Sequence, residues 1–299
     1  MKRIILLIVI VILLATAGFY IFNRNQTKAP AVQPSSSDSQ SATISGVFEG
    51  ITPCDNSKRP LPQIPSNASC EMTIWHISFN PDFMYTLTSS YGMSQPNTTG
   101  IRGGGTRVNM EGNWNIVKGT RTNPEASVIQ LNTADSQTSV SFLKVNDNII
   151  HLLDNDKNMM VGNGGWAYTL SKTSGVAINN TALPSLPEGA PINGVFEGRT
   201  LCIDSLAEFT QMPRGGCDRI KWKLTLSPTR YLLQTSRGSM EGDWTAEGNV
   251  YKLKSDKNQQ ALSFLKVDDN HLFFLDKEMN LVVGDSLWSY TLSKTNNSN

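Results

Sequence analysis

The chain has 299 residues, with 26 Lys and Arg against 25 Asp and Glu, a net charge of +1 and 17% charged residues. That balance gives no electrostatic footprint for nucleic acid, which calls for clustered basic surface.

The chain opens MKRIILLIVIVILLATAGFYIFNRN. Lys2 and Arg3 precede an uncharged, largely apolar run from Ile4 to Phe22. At about 1.5 Å rise per residue, such a run approaches the hydrocarbon thickness of a bilayer. Residues 1–23 are therefore expected to be a membrane anchor with a cytoplasmic N-terminus, as the two basic residues direct. The competing reading is a cleaved signal peptide, for which Ala15-Thr16-Ala17 supplies an A-x-A site. The apolar run continues through Phe19-Tyr20-Ile21-Phe22, which favours the anchor. Either way the remainder faces an oxidising compartment. Residues 24–45, rich in Ser, Gln, Ala and Pro, are expected to form a flexible tether. No cysteine precedes Cys54, so no thiol stands near the export signal for lipid attachment.

Beyond residue 45 the chain spells itself twice. GVFEG occurs at 46–50 and 194–198, MEGNW at 110–114 answers MEGDW at 240–244, SFLKV occurs at 141–145 and 263–267, and YTLSKT at 168–173 and 290–295. Cys54 corresponds to Cys202 and Cys70 to Cys217. The copies run over 46–173 and 194–299, with a Pro-containing linker at 174–193. A period this long means duplicated domains rather than a solenoid, each long enough to bury its own core. The first copy is longer at a few sites only, which places its extra residues in loops on an unchanged scaffold.

Within the second copy, KWKLTLS (221–227) alternates Trp222, Leu224 and Leu226 against Lys221, Lys223 and Thr225, the period of a half-buried strand. RYLLQTS, GDWTAE, VYKLKS, ALSFLKV, HLFFLD, LVVG and WSYTLSK follow, separated by tight polar turns. The first copy matches with MTIWHISF, MYTLTSS, GNWNIV, SVIQLN, VSFLKV, IIHLLD, MMVG and WAYTLSK. Helical periodicity is absent, with Asp204–Gln211 the one segment that could depart from strand. Eight or nine short strands on short loops pair antiparallel, and closure into an up-and-down barrel removes their edges. An open sandwich is the alternative. The segment 91–109, rich in Gly, Asn and Thr, reads as a mobile loop tolerated between two strands.

The order GVFEG, Pro53-Cys54, an L-T-L strand, Y-x-L-T, E-G-x-W, F-L-K-V, L-x-x-L-D and Y-T-L-S-K resembles the N-terminal domain of the NlpE family of bacterial envelope lipoproteins. The resemblance covers both copies. It implies a small lipocalin-like β-barrel and a link to copper resistance and envelope stress signalling. Two departures matter. The family's Cys-x-x-Cys pair is split here, Cys54 from Cys70 and Cys202 from Cys217, and the lipid-attachment cysteine is missing.

Four cysteines at matched positions in an exported chain point to two intradomain disulfides, Cys54–Cys70 and Cys202–Cys217. A thiolate metal site on the same four residues is the rival if they are reduced, although the split spacing removes the pre-organisation that would grip Cu(I). Reversible redox sensing is a third option. His76, His151 and His271 do not recur at equivalent positions and are expected to be ordinary exposed or half-buried histidines. Met72, Met84, Met93, Met110, Met159 and Met160 read as filler rather than as a thioether copper site. GIRGGGTR (100–107) lacks the Gly-Lys-Ser/Thr ending of a phosphate loop. No nucleophile–base set recurs, so catalysis is not expected. Trp114 and Trp244 are expected to close one end of each barrel, with the neighbouring Gly allowing a bend. Glu49 and Glu197, each between Phe and Gly, fit a salt bridge or an outward-facing acid equally well.

The resulting expectation is an all-β chain: two tandem small antiparallel barrels after an N-terminal transmembrane helix, facing the periplasm. It would bind or sense rather than catalyse, in copper tolerance or envelope stress. No cofactor is expected apart from the copper that the resemblance implies. Its partners would be the membrane, through residues 4–22 if uncleaved, and an envelope protein. The alternatives are a lipocalin-like carrier of a small apolar ligand and a structural interaction module.

Overall fold

The structure, a computed structural model, describes residues 43–54, 59–132, 139–173, 183–187, 191–202, 219–236, 238–256, 261–285 and 287–295. The expected membrane segment, nearly all of the tether and the segment Asp204–Gln211 lie outside these. Among the described residues no helix is long and apolar enough to cross a membrane.

The first copy forms β1 (Gly46–Pro53), β2 (Met72–Phe79), β3 (Met84–Gly92), β4 (Thr106–Lys118), β5 (Ser127–Asn132), β6 (Val140–Lys144), β7 (Ile149–Leu153) and β8 (Thr169–Lys172). Each strand pairs antiparallel with the next, and β8 returns to β1, closing an up-and-down barrel. The second copy repeats this with β9 (Gly194–Leu201), β10 (Arg219–Leu226), β11 (Arg230–Thr235), β12 (Gly238–Glu247), β13 (Val250–Ser255), β14 (Ala261–Asp268), β15 (His271–Leu275) and β16 (Thr291–Thr295), where β16 closes onto β9. MMVG and LVVG contribute only single bridges, Leu153–Met159 and Leu275–Leu281, leaving eight strands per barrel.

Alternation decides which side of each strand faces in. On β10, Ile220, Trp222, Leu224 and Leu226 are buried while Arg219, Lys221 and Lys223 are exposed. Trp75 and Trp222 stand fully buried in the two interiors. A buried indole N–H needs an acceptor, and each finds the same one: Trp75 Nε1 donates to Thr52 Oγ1 at 2.9 Å, and Trp222 Nε1 to Thr200 Oγ1 at 2.8 Å.

The repeated MEGxW segment is explained by the opposite strand. Tyr85 lies directly across from Gly112, and Tyr231 across from Gly242. In each pair the tyrosine ring covers the glycine, and a Cβ there would also run into the carbonyl oxygen of Asn132 or Lys254. The glycine is thus required by close approach of ring and backbone. The neighbouring tryptophans tie down hairpin turns: Trp114 Nε1 donates to Asn80 O at 3.3 Å, and Trp244 Nε1 to Ser227 O at 2.8 Å.

The inserted segment 91–109 differs from the mobile loop expected of it. It lengthens the β3–β4 hairpin, with Tyr91 pairing Thr106, and folds back through a Ser94–Ile101 bridge. Ser94 donates through its N–H and hydroxyl to Glu71 Oε2, at 3.1 and 2.7 Å. Ile101 is buried against Ile51 and Met72. Its Gly and Asn content serves the tight turns, where Asn97, Gly103, Gly104 and Gly105 take positive φ.

From Thr43 onward the chain forms one compact unit. β7 and β15 are buried at every residue. Ile150 and Leu152, like Leu272 and Phe274, fill the barrel interiors. Ile149 and Leu153 on the outer face of β7 share one apolar cluster with Phe273 and Leu275 on the outer face of β15. Leu183 and Leu186 of the linker pack into that cluster.

Replacing Gly242 by Ala is expected to destabilise the protein by roughly 1–3 kcal/mol, the usual cost of overpacking. Urea unfolding followed by tryptophan fluorescence measures it. Ala at Gly248, where a Cβ meets nothing but φ is positive, is the control for backbone strain alone.

Candidate functional site: the disulfide rim and the joint between barrels

Cys54, just after β1, and Cys70, just before β2, are joined in a disulfide. Both are buried. Arg59 lies against it: Nη1 is 3.4 Å from Cys54 Sγ, and Nη2 donates to the carbonyls of Ser66 and Ala68 at 3.1 and 2.7 Å. One guanidinium therefore ties Cys54 to the carbonyls that precede Cys70. In this form Cys54 and Cys70 hold no thiolate to offer a metal. In the second barrel Cys202 is disulfide-bonded; its expected partner Cys217 lies outside the described residues.

The methionines are dispersed. Met110 and Met160 belong to the first barrel's core, Met159 to the joint and Met72 to the cluster around Ile101, while Met84 and Met93 are exposed. Among the described residues no three His, Cys, Asp or Glu gather as a metal-holding group. Glu49 and Glu197 face outward against bases on the adjacent strand: Glu49 Oε1 is 2.7 Å from His76 Nδ1, and Glu197 Oε1 is 3.9 Å from Lys223 Nζ.

Two of the three histidines depart from expectation. His76 is exposed, but His151 and His271 are both fully buried. They meet across the joint, ring edge to ring face, with centroids 4.7 Å apart. Sequence reasoning missed them because it placed each on a strand with one wet face, whereas β7 and β15 have none. The available signal was the pair of strands IIHLL and HLFFL, apolar in both phases of the alternation.

The joint has an approximate two-fold symmetry. Gly162 N donates to Ser293 Oγ at 3.2 Å, and the equivalent Gly284 N donates to Ser171 Oγ at 2.9 Å. Thr291 Oγ1 donates to its own counterpart, Thr169 Oγ1, at 3.1 Å. The same face of each copy is thus used twice, as in an isologous dimer. The histidines break the symmetry: the counterpart of His151 is Phe273, and that of His271 is Ile149.

Both rings turn Nε2 toward one acceptor, the carbonyl of Met160, at 2.9 Å for His151 and 3.1 Å for His271. Thr169, having accepted from Thr291, donates its hydroxyl to His151 Nδ1 at 2.9 Å. His151 is therefore neutral, with its proton on Nε2. Burial, then the charge of His271, push its pKa down to about 3. His271 differs: Nδ1 is 2.7 Å from Asp268 Oδ1 while Nε2 faces the Met160 carbonyl. Only a doubly protonated ring satisfies both acceptors. Burial acts to raise the pKa of the Asp268 carboxyl. The His271 charge, the bond from that ring and the Asn270 N–H outweigh it and hold Asp268 below the usual carboxylate range. The turn carrying Asp268 recurs in the first copy with Asn146 in its place, each accepting from the N–H two residues on at 2.8 Å. Only the second copy supplies a charge.

No family model matches the chain, and no curated protein matches it. Among solved structures it is similar to one described as the Cpx pathway activator NlpE from Escherichia coli. The match is at 10% identity with a TM-score of 0.24, and covers 83% of this chain and 95% of that one. A superposition this loose carries no conclusion about site or activity.

Two outcomes are expected. Serine at both Cys54 and Cys70 should cost on the order of 3 kcal/mol, the value for a closed loop of about 15 residues, read by urea unfolding under non-reducing conditions. Asp268→Asn should cost about 3 kcal/mol at neutral pH, since it strands a buried charge.

Proposed function

We propose that this protein is a non-enzymatic envelope protein of the NlpE type, tethered to the membrane through residues 4–22 with its two barrels in the periplasm. In this reading it binds or senses in an envelope stress response or in copper tolerance. The observation that carries it is the family motif order, present twice and set on equivalent strands of two closed eight-stranded barrels. The disulfide at Cys54–Cys70 fits export to an oxidising compartment. The disulfide Cys202–Cys217 belongs to the same proposal. A partner in the envelope is part of it, because filled barrels offer surfaces rather than interiors. Trp75, Phe142 and Phe79 occupy the first interior, and Trp222, Phe264 and Phe274 the second. That filling disfavours a carrier of an apolar ligand, which needs open volume.

Expression of the full chain in a bacterium carrying an envelope-stress reporter is expected to raise the reporter several-fold, on the scale of a coupling of 1–3 kcal/mol. It should also change survival on copper. An unchanged reporter with unchanged copper survival, for a chain shown by fractionation to be exported, would overturn the reading. Alkylation of the exported region without reductant, followed by intact mass measurement, separates its chemical branches. Zero free thiols rules out thiolate copper binding, whereas free thiols protected by Cu(I) would make metal sensing the function.

A further inference from the structure

We propose that the joint between the barrels is a proton-operated latch, closed while His151 is neutral and released when His151 takes up a proton. The proposal does not depend on the envelope-stress reading.

The geometry leaves the closed joint no good place for a second proton on His151. Its Nε2–H is already committed to the Met160 carbonyl, and its Nδ1 lone pair receives the Thr169 hydroxyl. A proton on Nδ1 would make the Thr169 hydroxyl an acceptor there and take away the ring nitrogen that receives its own hydrogen. It would also place a second positive ring 4.7 Å from His271, which the same carbonyl and Asp268 already hold doubly protonated. Like charges that close in a dry site cannot both be stable. The charged groups that act on His151 are His271 and Asp268, both from the β14–β15 hairpin. From β8 and β16 come the hydroxyls of Thr169, Ser171, Thr291 and Ser293, and from residues 159–162 the Met160 carbonyl. Lys266 on β14 is engaged with Asp269 at 2.8 Å. Lys172 and Lys294 lie over Gly46 and Gly194. None of these lysines or hydroxyls adds a carboxylate to neutralise a charged His151.

The sign follows from which state holds the proton. With the joint closed His151 titrates far below its ordinary value, and with the joint open it titrates near 6.5. His271 pulls the other way above that pH, because the closed joint keeps its second proton while an open joint gives it up. The latch is therefore tightest near pH 6.5 and weakens as pH falls from there toward 3. Counting both rings, the open form gains two protons where the closed form already holds one, so moving from pH 6.5 to 5.0 shifts the closed-to-open ratio about 8-fold toward open. Asp268, held ionised in the closed joint, does not titrate across that interval. Opening bares Ile149, Leu153, Phe273 and Leu275.

Hydrogen exchange on the full-length chain in detergent micelles tests this, with rates corrected for the intrinsic pH dependence. The Gly162 and Gly284 amides bond across the joint and report its opening, whereas the Trp75 and Trp222 amides report the barrels. Protection of Gly162 and Gly284 is expected to fall about 8-fold between pH 6.5 and 5.0 while Trp75 and Trp222 hold. In His151→Gln, which stays neutral at both values, the fall should vanish. Equal protection at both pH values in the unaltered protein overturns the proposal, as does a fall that persists in the Gln variant. Should that variant not fold, nitrogen NMR of labelled histidine in the unaltered protein decides. A His151 ring that charges near pH 6.5 while Gly162 and Gly284 stay protected also overturns it, and one that charges only with their exposure supports it.

Discussion

Strands β7 and β15 have no wet face, and the two-barrel unit is organised around that fact. A closed barrel ordinarily needs only its interior to be apolar. Here the outer faces of two strands are apolar as well, and each is covered by the other copy. The linker joins the same cluster through Leu183 and Leu186, while Asn123 and Asn249 bond to its carbonyls at 3.3 Å on Ser185 O and 3.1 Å on Pro187 O. A segment that composition marks as a spacer is built into the contact it spans.

Duplication within one chain supplies something a dimer of identical copies does not. In a two-fold dimer every position off the axis occurs twice in the same form. Here the Thr169–Thr291 pair and the reciprocal glycine–serine bonds keep the shared geometry. Positions beside them have diverged to His151 against Phe273, His271 against Ile149, and Asp268 against Asn146. One polar cluster is therefore housed where strict symmetry would place two, with one neutral imidazole and one charged imidazole set side by side. The carboxylate on a single turn decides which is which.

The same economy appears in the barrels. A tryptophan donates to a threonine on the neighbouring strand in both interiors, and a tyrosine covers a glycine in both β3–β4 and β11–β12 pairs. These fix register, because a slip of one residue would turn tryptophan and tyrosine outward. Glu49 and Glu197 keep their outward place with different cross-strand partners, a histidine in one copy and a lysine in the other. What recurs is the requirement for a base opposite, which either residue meets.

Much of this was legible in the residues. The two copies, the period-two alternation on KWKLTLS and the short polar turns lead to antiparallel strands, and the need to remove edges leads to closure. The cysteine positions lead to the bond between Cys54 and Cys70. The segment 91–109 was misread because turn-forming residues mark bends without telling whether a bend is anchored; Glu71 and the burial of Ile101 anchor it. His151 and His271 were misread for a related reason. Alternation along one strand tells which side faces the barrel interior, and says nothing of what covers the other side. Local periodicity and repetition were enough for the strands and their duplication, and the need to remove edges favoured closure over an open sandwich, which the β8–β1 and β16–β9 pairings decided. Only the tertiary structure decided that the outer faces of β7 and β15 meet, since that contact joins residues 122 positions apart in the chain, and burial of both faces is what makes two unremarkable histidines a charged and a neutral ring sharing one carbonyl.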